Sequence, residues 1–447
     1  MTYSCKPDDD DLVSASFPIN PDVFIDDFSG GLEYAAFGGS DVAGFDLDFE
    51  ETYNGTEASM KFSVPDFNAA EGTFVGGVFF ASGGRDLRGF TALTFYAKAT
   101  RSANIDVIGF GVSPAGSPAK DDFEVSVANL AINTNWKKYY IPIPDPSKLN
   151  AEEALLYYAE GPENEEGYTF WLDEVKYENI GLIAQPKATM MGGQNVVQLA
   201  YQGVNVSIEN VTYQVNLPNG VNQMYNLTIN YFDLVSSNES VVQIGQNNEI
   251  NVVGPGLALI RGFVNGVEAE GTLTLNVQGG FVPAPIPTFN AANVISLFSD
   301  AYTNVQVDFY NGFWEPFQTT ESNDFAIGND NILNYTNFNF VGTQFSNPTI
   351  NASNMTHIHF DVFIPGAVQP GTNLNIILRD FGADGADGGS DDSNLSVDFT
   401  STDLVQGAWN RLDIPLSTLT NTSNMGLIIY EGADLPNIFV DNIFFYN

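Results

Sequence analysis

The chain has 447 residues, with 15 Lys+Arg against 55 Asp+Glu and a formal net charge of −40. At roughly 150 residues per domain this length suggests about three domains, and 44 % apolar with 16 % charged residues is a globular composition, not a disordered acidic one. So acidic a chain repels phosphate backbones and anionic membrane surfaces, and no run of about 18 apolar residues is present to span a bilayer.

Residues 1–22 read as an acidic tether: Met1-Thr2-Tyr3-Ser4-Cys5-Lys6-Pro7-Asp8-Asp9-Asp10-Asp11. A single cysteine excludes a disulfide framework. Cys5 followed by Lys and an acidic run resembles the surface-export signal of Bacteroidetes outer-membrane lipoproteins. That resemblance implies a lipid anchor on Cys5, an outer-membrane, cell-surface location, and a signal peptide absent from this sequence. An ordinary thiol in an acidic tail is the alternative.

Residues 23–181 form the first domain. Its strands announce themselves in Phe90-Thr91-Ala92-Leu93-Thr94-Phe95-Tyr96-Ala97, Asn135-Trp136-Lys137-Lys138-Tyr139-Tyr140-Ile141-Pro142-Ile143 and Phe170-Trp171-Leu172-Asp173-Glu174-Val175. Apolar and polar residues alternate in each, the period of a half-buried strand. Only the stretch around Ala151 to Tyr158 suggests a turn or two of helix. Asp46-Leu47-Asp48-Phe49-Glu50 puts three carboxylates on one strand face. Paired carboxylates hydrolyse glycosides, but like charges on a strand more often mark a solvated edge. Tyr34, Phe37, Phe45 and Tyr53 lie in a Gly-rich acidic stretch that could line a groove, and Arg85 and Arg88 stand out as salt-bridge or ligand contacts.

Residues 182–280 alternate differently: Val204, Val206 and Ile208, then Val211, Tyr213, Val215 and Leu217, then Leu227, Ile229 and Tyr231, with an Asn219-Gly220 hairpin signal. Their number suits one immunoglobulin-like sandwich without the cysteine pair. Pro283, Pro285 and Pro287 mark residues 281–293 as a semi-rigid linker.

Residues 294–447 repeat the first domain. Met355-Thr356-His357-Ile358-His359-Phe360-Asp361-Val362, Ala408-Trp409-Asn410-Arg411-Leu412-Asp413-Ile414-Pro415-Leu416 and Ile438-Phe439-Val440-Asp441-Asn442-Ile443 recur in the same order. Trp136 and Trp409 match in context and read as core. Trp314, in Asn311-Gly312-Phe313-Trp314-Glu315-Pro316-Phe317, has no counterpart, so it reads as a surface residue able to pack on the C–H face of a sugar. Phe317, Tyr302, Tyr335 and Gln344 are weaker companions. His357, His359 and Asp361 share one strand face; they could form a two-His, one-carboxylate metal site, although a sugar-contacting trio is preferred.

Both end domains resemble jelly-roll carbohydrate-binding modules of Bacteroidetes polysaccharide-utilisation systems, through Val294-Ile295-Ser296-Leu297-Phe298-Ser299-Asp300-Ala301-Tyr302, Asp380-Phe381-Gly382-Ala383-Asp384-Gly385 and Phe439-Val440-Asp441-Asn442 in the last domain, and through Arg85-Asp86-Leu87-Arg88-Gly89-Phe90 and Trp136-Lys137-Lys138-Tyr139 in the first. Val252-Val253-Gly254-Pro255-Gly256-Leu257-Ala258-Leu259-Ile260 is similar to a bacterial immunoglobulin-like domain. The resemblance implies an all-β fold of three tandem β-sandwiches: jelly roll, immunoglobulin-like, jelly roll. It also implies structural calcium joining the first strand region to the last, through Asp26 or Asp27 with Asp173 and through Asp300 with Asp441. Asp384 and Asp387, in the 384–392 loop, are a second calcium candidate.

The function implied is non-catalytic, cell-surface capture of polysaccharide, best matched to a β-glucan such as laminarin. Its partners would be a TonB-dependent outer-membrane importer and that importer's glycan-binding lipoprotein. Two other classes stay open: a glycoside hydrolase or lyase with an unrecognised active site, and a structural or adhesive spacer. No Glu-x-Asp-x-x-Glu, Gly-x-Ser-x-Gly or phosphate-loop motif supports an enzyme.

Overall fold

A computed structural model describes residues 17–70, 72–114, 123–181, 183–312 and 314–447; Cys5 lies outside the described residues. The fold is all-β, three tandem β-sandwiches whose strands are interrupted only by short 3-10 turns. Among the described residues no helix is long and apolar enough to cross a membrane. Two compact units divide the chain: residues 1–199, 207–250 and 256–276, and residues 200–206, 251–255 and 277–447.

The first domain pairs two sheets. What we term its closing sheet runs Phe45–Asp48, Ser59–Val64, Tyr168–Glu178, Ala92–Ala99, Lys137–Pro142, with Asp22–Phe24 added along Tyr168–Glu178. Alternation decides each strand's faces: Leu93, Phe95 and Ala97 are buried in the core, while Tyr96 and Lys98 stay half-exposed on the outer side. The second sheet runs Leu32–Ala36, Val75–Arg85, Glu152–Glu160, Ala103–Phe110, Val125–Ile132.

One local expectation fails here. Residues 151–158 are not helical; Glu152–Glu160 is a strand flanked on both sides in the second sheet. Its Ala154, Leu155, Leu156, Tyr157 and Tyr158 are all buried, and a strand covered on both faces loses the alternation that would mark it. Ile229–Tyr231 departs in the other direction: it forms a 3-10 turn, not a strand.

The second sheet does not stop at the first domain. Asn222–Leu227, Thr212–Asn216 and Ala184–Thr189 extend it to eight strands. One cross-strand row links them all: Ala35, Val78, Tyr157, Gly109, Ser126, Asn226, Thr212, Thr189. Gly220, at φ +81°, makes the hairpin between Thr212–Asn216 and Asn222–Leu227.

The last domain repeats the first domain's strand order, with one added strand, Phe325–Ile327, paired to Asp330–Thr336. Its closing sheet runs Glu321–Ser322, Asp330–Thr336, Asn437–Tyr446, His357–Phe363, Trp409–Pro415, with Val294–Phe298 along Asn437–Tyr446; its second sheet runs Phe309–Gly312, Phe340–Gln344, Met425–Ala433, Asn373–Asp380, Ser393–Thr400. Ile358, Phe360, Val362, Leu374, Ile376, Leu378, Ile428 and Tyr430 form the core between them. Residues 281–289 pack against this closing sheet. Phe281 touches Phe325, Phe363, Trp409 and Phe439, Phe289 lies on Phe444 and Tyr446, and Val282 O accepts the Trp409 indole N–H at 2.7 Å.

Candidate saccharide-binding face

The outer side of the last domain's second sheet carries a convergent polar surface. Because Leu374, Ile376 and Leu378 point into the core, Asn373, Asn375, Ile377 and Arg379 point out. Register then places three rows across the sheet. Phe340 stands beside Glu431, Asn375 and Asp398; Gly342 beside Ile429, Ile377 and Ser396; Gln344 beside Leu427, Arg379 and Asn394. Phe309, 57 % exposed, extends the last row at the edge.

The amides are held ready by one another. Asn375 Nδ2 donates to Ser396 Oγ at 2.8 Å and to Asp398 Oδ1 at 2.9 Å, and Asn373 Nδ2 donates to Asp398 Oδ1 at 2.8 Å. The two amide bonds hold the Asp398 carboxyl below its usual range. Arg379 Nε donates to Asn394 Oδ1 at 2.8 Å, and its Nη1 to Asp387 Oδ1 at 2.7 Å.

Trp314 belongs to this face. Its indole lies on Gly342, where a Cβ would come within 2.0 Å of the ring, and stacks beside Phe340 at 6.1 Å and 25°. The ring is 37 % exposed. Trp314 N–H donates to Gln318 Oε1 at 3.1 Å and Gln318 N–H donates back to Trp314 O at 3.2 Å, fixing the turn. Phe317 is 76 % exposed in the same turn. Gln344, on the strand beside it, donates to Ser346 Oγ at 2.9 Å.

The remaining aromatic and histidine candidates lie elsewhere. Tyr335 is fully buried in the core, so it offers no ring to a ligand. Tyr302 sits on the closing-sheet side, packed on Phe444 with its hydroxyl donating to Phe289 O at 3.0 Å. His357 stacks on Tyr446 at 5.3 Å and stays half-exposed. His359 and Asp361 do share its strand face but are buried, which removes them as sugar contacts: His359 Nδ1 meets Asp413 Oδ1 at 2.8 Å, and Asp361 Oδ2 accepts from Asn442 Nδ2 at 2.9 Å. Burial opposes charge on His359, yet Asp361 and Asp413 outweigh it and raise its pKa. Tyr34 and Phe45 are half-buried and pack against Phe79. Phe37 lies by Tyr157 on the second sheet, and Tyr53 stacks on Tyr96.

The proposed calcium acids behave differently in the two repeats. In the first, Asp173 is saturated by the chain, accepting from Tyr53 N at 2.7 Å, Thr56 Oγ1 at 2.8 Å and Glu174 N at 2.7 Å; Asp26 accepts from Glu57 N, and Asp27 from Phe28 N at 2.8 Å. In the last, Asp300 and Asp441 line a cavity of about 340 Å³ with Asp330, Asn329 and Asn442. Asn442 N–H donates to Asp441 Oδ1 at 2.6 Å, and burial, reinforced by Asp330, Asp300 and Asp361, pushes the Asp441 carboxyl up to about 8. Asp330 Oδ2 is buried without a hydrogen-bond partner. In the 384–392 loop, Asp387 is engaged by Arg379, and the oxygens that crowd Gly389 belong to Asp384, Asp391 and Asp392. Among the described residues no three His, Cys, Asp or Glu side chains stand close enough to form a ready metal shell.

Asp48 on the three-carboxylate strand is tied down by the Trp171 indole N–H at 3.0 Å and by Glu50 and Glu51 N–H. Glu160 has its carboxyl pushed up to about 8 by burial, but it is 1 % exposed and accepts from Tyr168 Oη and Asp106 N.

No family model and no curated protein matches the chain. Solved structures similar to it include the family 30 carbohydrate-binding module of a cellulosomal cellulase from Clostridium thermocellum, at 18 % identity over 36 % of this chain and 95 % of that one, TM-score 0.24. The N-terminal tandem of family 22 carbohydrate-binding modules from Paenibacillus barcinonensis aligns at 10 % identity over 98 % of this chain and 100 % of its own length, TM-score 0.23. A β-1,2-glucanase from Parabacteroides distasonis aligns at 12 % over 58 % and 39 %, TM-score 0.25.

Proposed function

We propose that this protein is a non-catalytic saccharide-binding protein that holds an extended polysaccharide across the second sheet of its last domain. The observation carrying this reading is the pairing on one face of an indole packed against Gly342 with the amide rows around Asn375, Ser396 and Arg379. Sugar C–H faces pack on aromatic rings, and their hydroxyls both give and take the hydrogen bonds such side chains offer. A neutral β-glucan is the favoured ligand, because the whole chain's −40 charge disfavours polyanions.

Affinity electrophoresis of the full chain on a panel of polysaccharides tests this reading. Retardation is expected on at least one neutral glucan, and Trp314→Ala is expected to weaken it about tenfold or more, the scale of about 1–3 kcal/mol for a buried aromatic contact. Unaltered retardation in Trp314→Ala, or none on any glycan, would overturn it.

Cys5 as a lipid anchor, delivery to a TonB-dependent importer, and calcium belong to the same proposal. Calcium would be held in the last domain by Asp300 and Asp441 beside the unpartnered Asp330 Oδ2, displacing the Asn331 bonds on Asp300 and the proton that burial keeps on Asp441. Bound only to the folded form, it would stabilise by mass action. Chelation is therefore expected to lower the melting temperature of the intact chain, and Asp441→Ala to remove most of that response. The first domain's saturated Asp173 should contribute none.

A further inference from the structure

We propose a second saccharide-contact surface on the outer face of the first domain's closing sheet, with an uncharged, hydroxyl-rich chain as its ligand; the proposal rests on the polysaccharide reading above. Here register gathers aromatic rings and ammonium groups. Asp46, Lys61, Trp171 and Lys98 form one row, Asp173, Tyr96 and Lys138 the next, and Lys176, Thr94 and Tyr140 a third. The Lys138 ammonium stands 5.7 Å from the Tyr96 ring and 5.8 Å from the Tyr140 ring. Tyr53 stacks on Tyr96 at 3.6 Å and 17°, with Trp136 edge-on to Tyr53. Tyr96, Trp136, Lys138 and Tyr140 are all half-exposed. The expectation that Trp136 is core is therefore corrected: it stands beside a surface row.

Charge selects the ligand. Each ammonium on this face already has a carboxylate: Lys98 with Glu51 at 2.7 Å, Lys176 with Glu174 at 3.0 Å, Lys61 with Asp48 at 3.8 Å, and Lys138 with Glu178. The face is thus locally compensated within a chain of net charge −40. An acidic polymer would have to displace those carboxylates, whereas hydroxyls can donate to them and accept from the ammoniums without breaking the pairs.

The repeat supplies the second argument. In the last domain the equivalent face is covered by residues 281–289, and Trp409 Nε1 donates to Val282 O at 2.7 Å. In the first domain the matching Trp136 Nε1 is buried and has no hydrogen-bond partner. Where one copy brings an oxygen acceptor and a covering chain, the other leaves Tyr96, Trp136 and Tyr140 half-exposed, with the Trp136 N–H buried behind them. A saccharide supplies what the half-exposed rings lack, C–H groups that pack on them.

The test is calorimetry and affinity electrophoresis on the full chain, with a soluble neutral β-glucan and a uronate polymer as probes. Trp314→Ala/Asn375→Ala should leave residual glucan binding, and adding Lys138→Gln/Tyr140→Ala should abolish it. Lys138→Gln alone, which removes no ring, should weaken polymer binding several-fold at unchanged melting temperature. In a Trp314→Phe chain, the remaining tryptophan emission should shift on titration with the glucan. Full-strength binding in the Lys138 and Tyr140 variants, with loss in Trp314→Ala/Asn375→Ala, overturns this surface and leaves the first reading intact. Binding of no glycan by the unmodified chain overturns both. Tighter binding of the uronate polymer than of the glucan overturns the assignment of an uncharged ligand.

Discussion

Gly342 shows how one missing side chain makes a binding residue possible. A Cβ there would meet the Trp314 ring at 2.0 Å, so the indole packs against this strand only because Gly342 is bare. Gly342→Ala is therefore expected to lift the ring and weaken saccharide binding about as much as Trp314→Ala, with a smaller effect on stability; parallel isotherms and melts of the two variants check this. Glu160 carries a separate consequence. Burial raises its carboxyl to about 8, so the folded form keeps a proton that the unfolded chain releases near the ordinary glutamate value. Its contribution is complete below that ordinary value and is lost as pH rises through about 8. His359, also raised, shares that sign and loses its contribution above the ordinary histidine range. The melting temperature should fall as pH rises from about 5 to about 8. Glu160→Gln, which mimics the neutral acid, should make that slope shallower without abolishing it.

At the scale of elements, the sequence displayed the strands whose residues alternate in polarity. Ala92–Ala99, Lys137–Pro142 and His357–Phe363 alternate, and their order alone predicted the shared topology of the two end domains. Glu152–Glu160 hid because both of its faces are covered, which erases the period of two. The candidate face was half legible. Trp314 was found by its absence from the other repeat, but Asn373, Asn375 and Arg379 looked like ordinary outward residues until register set them beside Asp398, Ser396 and Asn394. Buried His359 and Asp361 misled for the converse reason: a strand's period tells which residues share a face, not whether another segment covers it. That segment is 281–289. Its Phe281 makes contacts on several rings of the closing sheet, so Phe281→Ala should cost about 1–3 kcal/mol and expose Trp409. Denaturant titration followed by tryptophan emission would register both.

At the scale of the molecule, the chain's three sandwiches are not three independent folding units. Ala184–Thr189, Thr212–Asn216 and Asn222–Leu227 complete an eight-stranded sheet whose other five strands belong to the first domain. The junction is hydrogen-bonded backbone, Asn226 opposite Ser126 and Leu227 opposite Val125, reinforced by Lys148 Nζ donating to Asn230 O and Phe232 O at 3.0 Å. A boundary at residue 182 therefore divides the sequence but not the sheet. Separating the segments would leave the Asn222–Leu227 strand as an exposed edge, with unpaired N–H and C=O groups and the Tyr225 side chain stripped of its bond to Tyr140 O. Residues 184–280 expressed alone should consequently aggregate or stay unfolded. Residues 17–280 together should be soluble and lose both segments in one calorimetric transition, because neither can melt without breaking the shared sheet. Two resolved transitions in residues 17–280, or a well-dispersed folded spectrum from 184–280 alone, would show that the strand pairing across the junction does not couple them.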